Sequence, residues 1–178
     1  CYPGAPADQV VQVYRLRHFI IPKQMIVTPK PYPVRPEHCM TFYVRGSEYM
    51  EKQTEGFRVS KPRAVITGQY TELIHRYTAE KEFLMIQAVL WPGTLHRITG
   101  IPCHELQDQF IDMEAVFPKE VGELMSRLQE ASDYGAMIRL LDVFMGKLWQ
   151  HTRVAPRLTD HVFQLMLHDP TGYSLEWL

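Results

Sequence analysis

The chain has 178 residues, enough for one domain with a full core, or for one domain plus a short appendage, and crowded for two full domains. Hydrophobic residues make up 46% and charged residues 22%, an ordinary balance for a globular protein that excludes wholesale disorder. Lysine and arginine number 19 against 20 acids, a formal net charge of −1, so the basic excess with which a chain holds DNA by itself is absent.

Cysteine usage and hydropathy narrow the setting. Cys1, Cys39 and Cys103 are odd in number and form no CxxC pair, which argues against a disulfide framework and for a reducing cytoplasm. No apolar run approaches the roughly 18 residues that span a bilayer, and no basic-then-apolar leader opens the chain, so no membrane partner is expected. A start at Cys1 and not at methionine leaves room for residues upstream.

Within residues 1–24, the run Val10-Val11-Gln12-Val13-Tyr14-Arg15-Leu16 fits a strand and a short helix equally well. Residues 25–28 are apolar and β-branched, and then Pro29, Pro31, Pro33 and Pro36 forbid helix and favour an extended edge or connecting arm. A proline-rich ligand for an SH3-type domain is the functional alternative for that arm. In residues 39–45, CMTFYVR, the alternation sets Met40, Phe42 and Val44 against Thr41, Tyr43 and Arg45, which predicts a strand with one face buried. Gly46-Ser47 makes a turn, and residues 48–54 fit a return strand or an irregular loop. Residues 63–67 (RAVIT) predict a short strand, and residues 72–78 (ELIHRYT) another that sets Leu73, His75 and Tyr77 opposite Ile74 and Arg76.

Residues 83–90, FLMIQAVL, are apolar on both phases of the strand period and predict a strand buried on both faces. Trp91-Pro92-Gly93 ends it at a corner, because proline lacks the ladder donor and glycine permits positive φ. Leu95 and Ile98 then predict a short helix with Gly100 as its C-cap and a second start at Pro102. Short strands at intervals of roughly ten residues, divided by turn signals, predict an antiparallel barrel or sandwich for this half.

After Val116 the period changes to that of a helix. Pro118 suits the first helical position, and Val121, Leu124, Met125 and Leu128 recur on one face. Asp133 caps a second helix in which Met137, Ile138, Leu141, Phe144, Met145 and Leu148 form a broad apolar stripe. The stripe either packs on the barrel or also supplies a dimer seam through Met137, Ile138, Leu141, Met145 and Leu148. Pro156 precedes a third helix with Leu158, Val162, Leu165 and Met166 on one face. Residues 169–172 break it, and Ser174 can cap a helix that opens Leu175-Glu176-Trp177-Leu178.

The buried strand running into Trp91-Pro92-Gly93, then Thr99-Gly100-Ile101-Pro102, His104-Glu105-Leu106-Gln107-Asp108-Gln109 and Asp112-Met113-Glu114-Ala115-Val116-Phe117, resembles the sensor domain of bacterial AraC-type transcriptional regulators, over residues 62–149. That resemblance implies an α+β fold, a small antiparallel β-barrel or jelly roll of the cupin-like kind followed by a C-terminal helical segment. It also implies that helices at this position carry dimerisation, giving a homodimer. The Ser-Leu-Glu-Trp-Leu opening is similar to the first helices of the AraC-type helix-turn-helix domain, so the chain is expected to stop inside that domain, with DNA bound only through the absent remainder. The expected organisation is a sensor at residues 1–117, a helical dimerisation or linker segment at 118–155, and the start of a helix-turn-helix domain at 156–178.

Catalytic chemistry finds no support. The eight histidines never form HxH, HxxxH or HExxH, and the paired-histidine strand with a nearby glutamate that marks metal-binding cupins is lacking. A facial metal site assembled from distant strands remains an alternative. There is no GxSxG elbow, GxGxxG loop or Walker pattern, and adjacent Cys103 and His104 diverge on a helix, so no catalytic residue and no cofactor are expected. Ligand-binding candidates are Gln87, a buried amide that must find partners, and His75 with Tyr77, which share a strand face able to point into a barrel. The expected function is ligand sensing, dimerisation or both in a transcriptional regulator, with a small-molecule effector as partner. The alternatives are a cupin-type metalloenzyme and a dimerisation module without a ligand.

Overall fold

The computed structural model describes residues 1–22, 28–52, 56, 58–78 and 80–169. The apolar residues 25–27, the end of the return segment at 53–54, and Ser174 with the helix opening that follows it lie outside the described residues.

Nine strands form two antiparallel sheets among the described residues. The larger holds β1 (Val11–Ile20), β8 (Glu82–Leu90), β3 (Cys39–Arg45), β6 (Ala64–Thr67) and β9 (Phe110–Asp112), in that order across the sheet. The smaller holds β2 (Lys30–Tyr32), β7 (Ile74–Tyr77), β4 (Tyr49–Lys52) and β5 (Arg58–Ser60). The fold is α+β, as the sequence predicts. The two sheets stay separate, so the interior is that of a sandwich and not of a closed barrel. The segment left open between strand and helix is strand β1, and the proline arm contributes the short edge strand β2.

Strand β8 organises both layers. Leu84, Ile86, Ala88 and Leu90 join the helix-facing core, while Phe83 and Met85 turn to the smaller sheet. Residues 83–90 are therefore buried on both phases, as the unbroken apolar run requires. Strand β3 departs from expectation for the same reason: Cys39 to Val44 are all buried, because the smaller sheet covers the face that the alternation left to solvent. Only Arg45 reaches water on that strand.

The corner after β8 follows the sequence closely. Gly93 has φ +78° and starts α1 (Thr94–Thr99), and Gly100, also at φ +78°, closes it by donating its N–H to the His96 carbonyl at 2.7 Å. A 3-10 turn at Cys103–Leu106 then leads into β9, which sequence periodicity did not reveal and which returns the chain to the larger sheet before α2 (Met113–Val116).

Helices α3 (Pro118–Glu130) and α4 (Tyr134–Gln150) cover the outer face of the larger sheet. Val121, Leu124, Met125 and Leu128 of α3 are buried, and the Asp133 carboxylate accepts the Ala136 N–H at 2.8 Å to cap α4. Phe144 meets Phe42 edge-on with ring centres 6.0 Å apart.

The apolar stripe of α4 is used up in this packing. Met137, Leu141, Met145 and Leu148 are buried in the same core as the sheet, and Ile138 packs against it half-buried. The five side chains expected to offer a dimer seam therefore face the sheet of their own chain. The exposed apolar residues of α4 are Tyr134 and Val143. Helix α5 (Leu158–His168) leaves Leu158, Phe163 and Leu167 more than half exposed, with Leu165 and Met166 exposed to a lesser degree. Among the described residues no helix is long and apolar enough to cross a membrane.

Candidate functional site

The two faces of the larger sheet differ in chemistry. Its helix side is mainly apolar, with polar contacts such as the Tyr14 hydroxyl donating to Asp142 at 3.0 Å, but the layer between the sheets splits into two small apolar clusters with a charged group set between them. Strand pairing explains how that group is assembled. Met50 and Arg76 are opposite one another on β4 and β7, and Ile74 and Tyr32 on β7 and β2, so Arg76 shares the inward phase with Ile74, Met50 and Tyr32. Glu48 and Lys61 come from the turns flanking β4 and β5.

These three ionisable side chains are nearly out of water: Glu48 is 4% exposed, Lys61 7% and Arg76 8%. Lys61 Nζ lies 2.8 Å from Glu48 Oε1, Arg76 Nη1 lies 3.5 Å from the same oxygen, and the Tyr43 hydroxyl donates to it at 2.8 Å. The Arg76 guanidinium stacks over the Tyr32 ring at 4.1 Å. Burial, with the Glu48 charge and hydrogen bond added, pushes the Tyr43 phenol well above its usual range. Charges are costly to bury, and an apolar set of side chains of similar volume would hold this layer together at least as well.

The cluster borders a cleft of about 540 Å³ at the open side of the sandwich, between edge strands β1 and β2. That volume is within the usual span for small-molecule sites, about 300–1,000 Å³. Arg17, Lys30, Tyr32, Arg35, Glu48 and Arg76 line it, so four cations face one carboxylate. Thr78 also lines it, and its hydroxyl is buried without a partner among the described residues. Elsewhere on β1, Arg15 grips Glu37 through two hydrogen bonds of 2.5 and 2.7 Å.

The structure separates the three residues that sequence singles out for binding. His75 and Tyr77 occupy the outer phase of β7, where the Tyr77 hydroxyl donates to Glu51 at 2.7 Å and Arg58 sits 4.0 Å over the Tyr77 ring. The alternation holds, and Ile74 and Arg76 are its buried phase while His75 and Tyr77 are half-buried on the other. Tyr77 reaches the rim of the cleft, whereas His75 lines none of the described cavities. Gln87 is inside as expected, 4% exposed, with its Nε2 donating to Thr41 at a long 3.4 Å and its Oε1 buried without a partner among the described residues. No described cavity reaches it.

Sequence reasoning missed Arg76, Lys61 and Glu48. For Arg76 a signal existed, since an arginine in phase with Ile74 on a strand is set toward the apolar side. Lys61 and Glu48 lie beside turns, where charged residues are normally solvated, and no local pattern distinguishes them. Among the described residues no three His, Cys, Asp or Glu side chains converge as a metal site would need. Cys39 is buried, and burial pushes its thiol up to about 12, which leaves it protonated and inert.

A second, larger cavity of about 970 Å³ runs between α5 and the end of the sandwich. The segment entering α5 is fastened to α1: the N–H groups of Arg153 and Val154 donate to the Arg97 carbonyl at 2.7 and 3.2 Å, and Arg153 Nη1 donates to the Thr99 carbonyl at 3.1 Å. Asp160 accepts the Arg157 N–H at 3.0 Å in the first turn of α5.

Fold and site together define an α+β domain, a helix-backed two-sheet sandwich with a charged cleft on its open side. No family model and no curated protein matches the chain. Among solved structures it is similar to ToxT from Vibrio cholerae strain SCE256. An apo variant is 8% identical with a TM-score of 0.44, covering 92% of this chain and 68% of that one. The unsaturated fatty acid bound wild-type protein is 6% identical with a TM-score of 0.44, covering 91% and 65%. A further ToxT structure from Vibrio cholerae is 7% identical with a TM-score of 0.44, covering 92% and 68%.

Proposed function

We propose that this chain is the ligand-sensing region of an AraC-type transcriptional regulator whose DNA-reading part lies outside the 178 residues. One observation carries the reading: a buried Lys61–Glu48–Arg76 cluster, an expensive feature for a core, stands at the wall of a cleft of small-molecule size. The motifs from the Trp91 corner to Phe117 and the near-neutral charge support the same assignment. Residues 1–117 act as the sensor, residues 118–155 form its helical backing and linker, and residues 156–178 begin the helix-turn-helix domain.

The response travels through the linker. Arg153 and Val154 hang from α1, and α1 is the direct continuation of β8, whose Phe83 lines the cleft. A small molecule that binds one arrangement of this connection better than another shifts the orientation of the DNA-binding domain by that difference in affinity. A gel-shift with the intact regulator tests the assignment. Sequence-specific promoter binding that changes with added metabolite and that no truncation ending at Leu178 retains supports it. An intact protein that binds no promoter rejects it.

A further inference from the structure

The charges in the cleft specify the chemistry of the ligand, an inference that rests on the cleft being the sensing site. Glu48 is already engaged: Lys61 Nζ and the Tyr43 hydroxyl both sit 2.8 Å from its Oε1. Two cations and one carboxylate thus leave one buried positive charge uncompensated. Arg76 is where it resides. Its guanidinium approaches Glu48 only at 3.5 Å and makes no hydrogen bond to another described residue, although a guanidinium carries five donors and a buried one normally places them. Those donors are left to the cleft, which Arg76 lines.

The opposite wall supplies a second guanidinium. Arg17 on β1 has no carboxylate within ion-pair distance among the described residues. Partial desolvation, reinforced by repulsion from Arg76, holds its pKa below the ordinary arginine value. Two such groups facing one space are mutually destabilising when it is empty of charge and cooperative when an anion bridges them. Arginine forks match planar oxyanions through paired, charge-assisted hydrogen bonds. Around this polar end the walls are aromatic. Tyr32 lies under Arg76, and Phe19 stacks on Phe83 with ring centres 5.1 Å apart.

We propose that the cleft between β1 and β2 binds a small aromatic carboxylate, its two oxygens bridging Arg76 and Arg17 and its ring resting against Tyr32 and Phe83. The aromatic walls favour an oxyanion carried on a flat apolar body over a sugar or a bare phosphate.

The test is calorimetry and thermal unfolding of the 178-residue chain with benzoate and phenylacetate, their neutral amides, and inorganic phosphate. The acids raise the unfolding midpoint and the amides do not, because a ligand specific to the native state stabilises by mass action. Arg17→Gln, an exposed substitution that spares the fold, weakens acid binding by about tenfold or more, the loss of one charge-assisted contact. Arg76→Lys keeps the charge, loses the fork and also weakens it, while Arg127→Gln on the outer face of α3 leaves it unchanged. Equal responses to acids and amides, no response to the acids, tighter binding of phosphate, or unaltered binding by Arg17→Gln would each overturn the proposal. A neutral compound that binds through Tyr32 would remove the charge assignment and leave the sensing function standing. Failure of the sensing function shows separately, as promoter binding by the intact regulator that no added compound alters.

Discussion

Lys61 Nζ sits 2.8 Å from Glu48 Oε1 with both side chains almost wholly withdrawn from water. Removing one partner of such a pair leaves the other charge buried alone. Lys61→Met should therefore destabilise the chain by about 3 kcal/mol, the low end of the range for a broken buried pair, because Arg76 still stands near Glu48. Urea denaturation reads the loss directly. A loss under about 1 kcal/mol would place the pair with hydrated surface bridges instead.

Gln87 gives a prediction of opposite sign. Its amide has one long hydrogen bond and one buried oxygen without a partner, and rotating the amide only exchanges which atom is orphaned. Gln87→Leu removes both polar atoms at similar volume and should leave stability unchanged or raise it by about 1 kcal/mol. If Gln87 also serves a ligand, the same variant gains stability while losing binding. A destabilisation of about 2 kcal/mol or more would show that the amide is satisfied by a partner outside the protein atoms.

What the sequence disclosed follows from what period can encode. Val121, Leu124, Met125 and Leu128 share a helix face whatever lies opposite, and the structure buries all four. The double burial of β8 was likewise legible, because Leu84 and Met85 are both apolar and only a strand with two covered faces needs that. On β7 the alternation of Ile74, His75, Arg76 and Tyr77 fixed two faces but not which of them the sandwich would cover. A single apolar residue in phase with a charge is weak guidance, and Arg76 was overlooked for that reason. Lys61 and Glu48 meet across 13 positions of sequence through the return of β5, a pairing set by topology alone. Strand β9 was missed because Phe110 to Asp112 is too short to show a period.

The stripe of α4 separates a core helix from a dimer seam. Leu141 is fully buried against the sheet, and Leu141→Ala should cost about 2–5 kcal/mol of chain stability through transfer and cavity terms. That cost should not depend on protein concentration. Val143, on the other side of α4, is 53% exposed, and Val143→Asp should be tolerated by the fold. Sedimentation of both variants distinguishes the roles. Loss of self-association in Val143→Asp with the fold intact would locate a seam on the outer face, whereas unfolding that vanishes at high concentration in Leu141→Ala would return it to the stripe.

Acid should expose the Glu48 cluster through its own titration. Burial alone would raise the Glu48 carboxyl, but the charges of Lys61 and Arg76 and the hydrogen bonds from Lys61 and Tyr43 together overcome it and hold the group below its ordinary value of 4.5. A carboxyl with a depressed folded pKa contributes stability that is fully present above 4.5 and is lost as pH falls through the lower folded value. Glu82, Asp108, Glu114 and Asp133 are depressed as well, so the wild-type chain has an acid slope from several sources. The informative quantity is the difference between chains. Glu48→Gln should start less stable at neutral pH and lose less on acidification, so that the two urea midpoints converge as pH drops below 4.5. At the alkaline end the slope has the same sign but a different origin. Burial holds the Lys61 ammonium below 10.5 despite Glu48, so its contribution to stability rises as pH climbs from that lowered value toward 10.5. Parallel acid limbs for wild type and Glu48→Gln would show that Glu48 titrates as a solvated group, and the buried cluster would then lose its electrostatic basis.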